Sequence, residues 1–261
     1  MTPAGTRTLC AQSGHTRVGV SAVTFAGATV RRTLSLGKVS KSFGEALMRG
    51  ARRFAVVGIA AALWVAAVGA SAFDSARLHE AARAGDWKGV EAMGPSTLPE
   101  LARLYRESSA AERARIAQVF YNLGWKSEDA KRALMADVHT ADQTLRVQVQ
   151  WALGRVSDDP AVIDVLLDNM RNDPVPLFRD KAACALAYDQ VHLAPALKLR
   201  LFEGLIGALD DPKLQVRQVA IQALAILTHQ TKGYAPGGDV GTRSAAVVAW
   251  RRWLDEYRAN L

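Results

Sequence analysis

One helical pattern occurs three times between residues 141 and 229, and this repetition constrains the fold more than any other feature of the sequence. The copies are LRVQVQWALG (145–154), FRDKAACALA (178–187) and VRQVAIQALA (216–225). Their alignment places Leu153, Leu186 and Leu224 in one column, preceded in each copy by an alanine. The intervals between these leucines fall within the period of about 20–50 residues that is typical of stacked helical repeats.

A second amphipathic helix precedes each of the last two copies, within residues 159–173 and 194–211. Each has apolar residues at helical spacing: Val162, Val165, Leu166 and Met170 in the first, and Leu197, Leu201, Leu205, Ile206 and Leu209 in the second. Three prolines are expected in the first turns of helices, where a residue without N–H is tolerated: Pro160, Pro195 and Pro212. No run of residues after position 72 alternates as a strand would, so the sequence predicts an all-α fold.

The repeated columns resemble the second helix of a HEAT repeat, whose pattern is roughly V-R-x-x-A-A-x-A-L-G. This resemblance implies a right-handed α-solenoid of HEAT-like helical hairpins that binds a partner on one curved face. In such proteins, Asp and Arg residues link neighbouring hairpin turns. The resemblance therefore implies a structural ladder, and no catalytic role, for Arg146, Asp173, Arg179, Asp211 and Arg217.

The segment before the repeats, residues 1–72, has a different character. Residues 1–47 are rich in Ser, Thr, Gly and Arg, and we expect a disordered leader, an over-extended reading frame that starts before the true Met48, or a transit peptide. Residues 48–72 have a basic beginning, an apolar run and the A-x-A signal Ala70-Ser71-Ala72, so they predict a signal peptide that is cleaved to leave Phe73 first. The alternative is an uncleaved anchor, because residues 54–73 carry no charge and could span a bilayer.

Both alternatives send the remainder of the chain across the membrane, so the sequence predicts a periplasmic or extracellular protein. Export also changes the meaning of the net charge of +8. The segment 1–72 holds nine of the 33 Lys and Arg side chains and one of the 25 Asp and Glu side chains, which leaves 24 of each sign. A mature chain without net charge does not favour nucleic acid, and we expect none as a partner.

The remainder divides into three parts. We expect degenerate helical repeats in residues 73–140, because the Tyr-Asn-Leu-Gly that ends at Gly124 echoes the Trp-Ala-Leu-Gly that ends at Gly154. Residues 141–229 contain the clear HEAT-like repeats. Residues 230–261 predict a loop and a C-terminal capping helix, since a terminal repeat needs a helix with one polar face to cover it. We expect Trp250 and Trp253 of this helix to pack in the core.

A helical-repeat enzyme is the alternative to a binding protein. HEAT-type hydroxylases hold iron with several His-Glu pairs, but here only His79 is followed by Glu, which supplies too few ligands. Alkylpurine DNA glycosylases also contain HEAT-like repeats, and Trp151 and Arg155 would suit their groove, but export and zero charge argue against DNA. The sequence contains no HExxH, phosphate loop or CxxC, so we expect no catalytic, cofactor or metal residues.

A protein-binding face is the better-motivated hypothesis. The variable column of the three copies lies between the columns that must pack, and its residues and their neighbours are expected on the concave side. They are Trp151, Arg155, Lys181, Cys184, Tyr188 and Gln222. Aromatic residues and arginine are enriched in protein interfaces. The other interpretation is that Trp151 only fills a gap between adjacent repeats, because tryptophan is often buried.

Overall fold

The computed structural model describes residues 75–190 and 193–261, and within these residues the chain is helical, without a strand. The helices in chain order are α1 (75–84), α2 (Trp87–Met93), α3 (Leu98–Glu107), α4 (Ala110–Leu123), α5 (Glu128–Met135), α6 (Gln143–Val156), α7 (Pro160–Asn172), α8 (Pro176–Cys184), α9 (Pro195–Gly207), α10 (Leu214–Thr228) and α11 (Val240–Ala259). A π-helical turn, Ala185–Asp189, extends α8, and a 3₁₀ turn, Ala208–Asp210, extends α9.

Consecutive helices pair as α3 with α4, α5 with α6, α7 with α8, and α9 with α10. The second helices also contact one another in order, from α4 through α6 and α8 to α10. First helices make similar contacts, as α7 does with α9 and α9 with α11. Because each pair meets the next pair along the chain, the described residues form a solenoid-like stack.

The repeated leucine column lies at the centre of this stack, as the sequence predicts. Leu153, Leu186 and Leu224 are each 0% exposed. The alanines that precede them, Ala152, Ala185 and Ala223, are equally buried. Small residues beside a leucine allow neighbouring helices to approach closely while the leucine fills the space between them.

Local signals explain where the helices begin and end. Ser109 and Glu112 form a capping box at the start of α4, and Gly124 ends that helix with a φ of +64°, a conformation that favours glycine. Asp159 caps α7, whose first residue is Pro160. These residues end one helix and begin the next, so the chain forms separate helical hairpins.

The prediction for Pro212 was wrong. Helix α10 begins at Leu214, so Pro212 lies in the turn before the helix and not in its first turn. In that turn the Arg217 guanidinium binds the carbonyl oxygens of Asp211 (2.8 Å) and Pro212 (2.9 Å), which holds this part of the backbone outside the helix. Pro160 and Pro195 do occupy first-turn positions, as predicted.

Helix α11 packs on α9 at the end of the stack. Its Trp250 is fully buried, as predicted, and the indole Nε1 donates to the carbonyl oxygen of Thr231 at 3.2 Å. Trp253 packs against the core but stays partly exposed. Tyr234, in the loop before α11, donates to the carbonyl oxygen of Leu209. The bonds of Trp250 and Tyr234 fix the long connection between α10 and α11 against the last hairpin.

The predicted leader (1–47), signal peptide (48–72) and apolar segment (54–73) lie outside the described residues. Among the helices that are described, each is too short or too polar to cross a bilayer.

Candidate functional site

The six residues predicted for a partner-binding face lie on three consecutive second helices. Trp151 and Arg155 are on α6, Lys181 and Cys184 on α8, Tyr188 in the π-helical turn, and Gln222 on α10. The Lys181 ammonium lies 5.9 Å from the centroid of the Trp151 ring. Tyr188 is 47% exposed, which is unusual for a large aromatic side chain. The structure thus brings Trp151 and Lys181 together across two repeats.

Tyr121 of α4 completes this group, although it was not among the residues predicted for the face. Its ring centroid is 6.2 Å from that of Trp151, and the Arg155 guanidinium lies 4.9 Å from its centroid. The signal was in the sequence, because Tyr121 begins the Tyr-Asn-Leu-Gly segment that echoes the Trp-Ala-Leu-Gly of Trp151. We call Tyr121, Trp151, Arg155 and Lys181 the aromatic–cation cluster. In it, two rings each have a cation within about 6 Å, the range of a cation–π contact.

A buried carboxylate lies behind this cluster. Asp189 Oδ1 is 3.7 Å from Arg155 Nη1, and the Asp189 side chain is only 6% exposed. Burial raises the pKa of Asp189 to about 7, while the positive charges of Arg155 and Lys126 lower it by a smaller amount. The Asp189 carboxyl beside Arg155 therefore loses its proton, and becomes negatively charged, near neutral pH.

The π-helical turn and a glycine place Asp189 at this position. A Cβ on Gly154 would lie 2.9 Å from the Asp189 Cβ and 3.3 Å from the carbonyl oxygen of Ala185, so the turn approaches α6 more closely than an alanine would permit. Gln190 donates from Nε2 to the Gly154 carbonyl oxygen. The glycine of the repeat column thus serves a close contact between α6 and the turn.

Three of the predicted face residues do not join the cluster: Tyr188, which lies beside it, Cys184 and Gln222. Cys184 is 2% exposed, so the prediction that it lies on an accessible face was wrong. It ends α8, which contacts both α6 and α10. Gln222 of α10 is half-buried.

The predicted ladder residues lie along the turns of the repeats. Arg146 of α6 binds the Asp173 carboxylate of the next turn, and the Asp173 side chain is fully buried. Asp173 also accepts a hydrogen bond from Val175 N at 2.8 Å, which shapes its own turn. The Arg146 guanidinium in addition lies 4.4 Å from the centroid of the Phe178 ring. One arginine therefore connects two hairpins through a buried ion pair and an aromatic contact.

The next two arginines use different partners. Arg179 binds the carbonyl oxygens of Asp173 (2.6 Å) and Pro174 (3.3 Å) in its own turn, and then reaches Gln215 Oε1 of the next repeat (Nε at 2.9 Å). Arg217 binds its own turn in the same way and reaches the Pro236 carbonyl oxygen (2.9 Å) in the loop before α11. The aspartates that precede these arginines thus contribute carbonyl oxygens to them, and not their carboxylates.

Among the described residues, Ser75, His79 and Glu100 form a group that resembles a catalytic arrangement. His79 Nε2 lies 2.6 Å from Glu100 Oε1, and Ser75 Oγ donates to the same oxygen at 3.0 Å. Arg103 binds both oxygens of Glu100, at 2.8 and 2.6 Å. Hydrogen bonds from Arg103, and then from His79 and Ser75, outweigh desolvation and lower the pKa of Glu100 to about 2.

This group does not have the geometry of a catalytic triad. A triad needs one imidazole nitrogen for the nucleophile and the other for the carboxylate. Here the same nitrogen, Nε2, faces both Ser75 and Glu100. A carboxylate with a pKa near 2 is also a poor base at neutral pH. The group is better described as a connection between α1 and α3. In the described part of the chain, no three His, Cys, Asp or Glu side chains form a set that could hold a metal ion.

Comparison with known families agrees with the repeated hairpins. The family model described as HEAT repeats matches residues 94–187, from the turn before α3 into the π-helical turn. This range contains the α3–α4, α5–α6 and α7–α8 hairpins and the whole aromatic–cation cluster. No curated protein matches the chain.

Proposed function

We propose that this chain, whose residues 94–187 are HEAT repeats, is a non-catalytic scaffold that binds a protein partner on the face of its second helices. HEAT repeats generally mediate protein–protein interaction. The observation that carries the proposal is the aromatic–cation cluster, in which side chains from three consecutive repeats meet on α4, α6 and α8. Beside it, Tyr188 exposes a large aromatic ring.

The chemistry of the cluster defines the kind of partner. Arginine and aromatic side chains are frequent among the few residues that dominate the energy of protein interfaces. Arg155 and Lys181 supply positive charge, although Lys181 Nζ also lies 3.1 Å from Asp180 Oδ2 and Arg155 faces Asp189, and Tyr121 and Trp151 supply aromatic surface. The partner surface should therefore present a carboxylate beside an apolar side chain.

The proposal includes two finer features of the chain. The hairpins form a right-handed solenoid, so that the second helices line its curved inner face. Residues 48–72 direct export, with cleavage after Ala72 or retention of residues 54–73 as an anchor, so the partner is periplasmic or extracellular. The order of basic, apolar and A-x-A segments supports export.

Site-specific crosslinking in intact cells tests the binding face. A photoreactive phenylalanine analogue replaces Tyr188 in one variant and Val248 in a control, since Val248 is 55% exposed on α11. We expect a single crosslinked protein from position 188 and none of that mass from position 248. Equal crosslinking at both positions would contradict a specific face on the second helices.

Export has its own test. Protein purified from the native host is fractionated, and its first residues are sequenced. A chain that begins at Phe73 in the periplasmic or secreted fraction supports cleavage. A membrane-bound chain that retains residues 54–73 supports the anchor. Recovery of the chain in the cytoplasm with residues 48–72 intact would contradict export.

A further inference from the structure

A second candidate site lies at the other end of the described chain, in a cleft between α9, α10 and α11. Its volume is about 430 Å³, which is large enough for one or two side chains of a ligand. Five apolar or aromatic side chains line it: Phe202 from α9, Ile226 and Leu227 from α10, and Trp253 and Tyr257 from α11. We call it the α9–α11 cleft.

The aromatic wall of the cleft is well ordered by ring contacts. Trp253 and Tyr257 stack on each other with centroids 5.6 Å apart, and Phe202 meets both rings edge-on, at 5.0 and 5.3 Å. Phe202 is buried, whereas Trp253 and Tyr257 remain half-exposed. The buried Phe202 therefore restricts Trp253 and Tyr257, which present aromatic surface to the cleft. Restricted side chains lose less entropy when a ligand binds.

Lys198 lines this cleft and adds a positive charge that does not stabilise its own helix. Its side chain makes no ion pair or hydrogen bond with the described residues, although Lys198 is half-buried. It also lies in the first turn of α9, which begins at Pro195 and has no acidic residue there. A cation near the N-terminus of a helix opposes the helix dipole. Helix stability therefore does not explain this lysine.

Negative charge is absent from the described lining of the cleft, whose remaining ionisable side chains are His229 and Tyr257. The nearby acidic residues Glu203 and Asp255 are both bound by Arg258, at 2.8 and 2.7 Å. The cleft thus offers an unpaired cation without a carboxylate of its own. A ligand with a carboxylate would complement it.

Helix α10 ends beside the cleft, since residues 226–230 all line it. His229 adopts a left-handed conformation with a φ of 59°, and its N–H binds the carbonyl oxygen of Ala225. The carbonyl oxygens of Ile226 and Leu227 accept no hydrogen bond from the described residues. Unpaired carbonyl groups at a helix end are suited to N–H donors. A peptide backbone supplies such donors, whereas a simple fatty acid does not.

We propose that the α9–α11 cleft binds a short linear peptide of another protein, in which an acidic residue lies beside an apolar one. The apolar side chain packs on Trp253 and Tyr257, the carboxylate pairs with Lys198, and the peptide N–H groups bind the free carbonyl oxygens of α10. The site shares no residue with the aromatic–cation cluster. It is a second binding site, independent of the face on the second helices.

Selection from a random library tests the peptide chemistry. Heptapeptides displayed on phage are selected on the purified full-length chain, and the best peptide is synthesised with a fluorophore for anisotropy. We expect selected sequences that pair Asp or Glu with Leu, Ile, Phe or Pro. Selection of basic sequences, or no enrichment at all, would overturn the proposal.

Charge reversal at Lys198 then tests the site. Lys198→Glu is expected to weaken binding of the selected peptide at least about tenfold, which matches the loss of one charged hydrogen bond. The same change should keep or slightly raise the melting temperature, because a glutamate suits the first turn of a helix. A stable variant that binds like the wild type would overturn the proposal.

Two control variants distinguish binding in the cleft from a general effect of net charge and from binding at the second-helix face. Arg252→Glu makes the same change in net charge on α11, at an exposed residue that does not line the cleft, and should alter affinity less than twofold. Tyr188→Ala should leave peptide binding unchanged. If Tyr188→Ala abolishes it and Lys198→Glu does not, the peptide binds at the second-helix face and the cleft proposal is wrong.

Discussion

The Arg155 guanidinium lies 4.9 Å from the centroid of the Tyr121 ring, one repeat earlier in the chain. This contact joins the second helices of consecutive repeats, which the stack brings to the same face. Arg155 also faces the buried Asp189 at 3.7 Å. An aromatic ring on one side and a carboxylate on the other restrict the arginine while 39% of its side chain stays exposed. Such a restricted arginine loses little freedom when it binds a partner.

Tyr188→Ala should abolish partner binding without unfolding the protein. The side chain is 47% exposed, so its loss should change the free energy of unfolding by less than about 0.5 kcal/mol. Loss of an aromatic side chain that is a hot spot of an interface weakens binding by about 2 kcal/mol or more. Affinity for the crosslinked partner is measured by titration calorimetry, and stability by circular dichroism. Unfolding of the variant would place Tyr188 in the core instead.

Trp151→Ala should weaken partner binding and also lower the melting temperature, because the half-buried Trp151 packs against the hydrophobic core as well as against Tyr121. Trp151→Phe serves as the matched variant, since it retains an aromatic ring at the same position. Binding that is unaffected by Trp151→Ala would show that the residue only fills space between repeats.

Asp189 should make the protein less stable as pH rises from about 4 to about 7. Its carboxyl holds a proton in the folded state up to a pKa of about 7, whereas in the unfolded chain it ionises near its usual 3.8. Between these values the folded state binds more protons, so stability falls with pH, by about 1.4 kcal/mol for each unit of pKa difference. Above a pH of about 7 the loss is complete.

Urea denaturation at several pH values tests whether the free energy of unfolding falls as pH rises. Asp189→Asn should lose the pH-dependent component, so that the variant gains stability relative to the wild type as pH rises through the window between the two pKa values. Asp158→Asn is a suitable control, because Asp158 is an exposed carboxylate paired with Lys126. A wild-type stability that rises with pH in this window, and that Asp189→Asn leaves unchanged, would contradict the assignment.

Gln150→Met should stabilise the protein. Gln150 is 0% exposed, and neither its Oε1 nor its Nε2 has a hydrogen-bond partner among the described residues. A buried polar group without a partner costs about 1–3 kcal/mol, and methionine has a similar length and helix propensity. The free energy of unfolding should therefore rise by about 1 kcal/mol or more. A clear loss of stability would mean that Gln150 binds an ordered water molecule.

Arg146→Met should destabilise the protein far more than Arg200→Met. The first change leaves the buried Asp173 carboxylate without its cation, which costs about 3–5 kcal/mol. Arg200 binds Asp164 with two hydrogen bonds of 2.6 Å, but that pair is exposed and should contribute at most about 1 kcal/mol. Equal losses in chemical denaturation would show that the buried pair has no special role. Asp173→Asn in the Arg146→Met background should recover part of the loss.

Several features could be predicted from the sequence because they depend on periodicity. A helical period of about 3.6 residues places Leu153, Leu186 and Leu224 on the buried side of their helices wherever the hairpins stack, and small neighbours permit that stacking. The same alignment places Trp151 near Lys181. Tyr121 could have been predicted in the same way, since it occupies the tryptophan position of the preceding repeat.

Other features depend on how the hairpins meet in three dimensions, and a sequence pattern does not contain that information. Asp189 and Cys184 follow the same helix pattern as their neighbours, yet both side chains are buried in the folded chain. The arginine column was visible in the sequence, but its partners were not. Arg146 binds a carboxylate, Arg179 an amide and Arg217 a backbone carbonyl. Spacing along one helix determines which side a residue faces, whereas its partner on the neighbouring helix is determined only when the two surfaces are packed together.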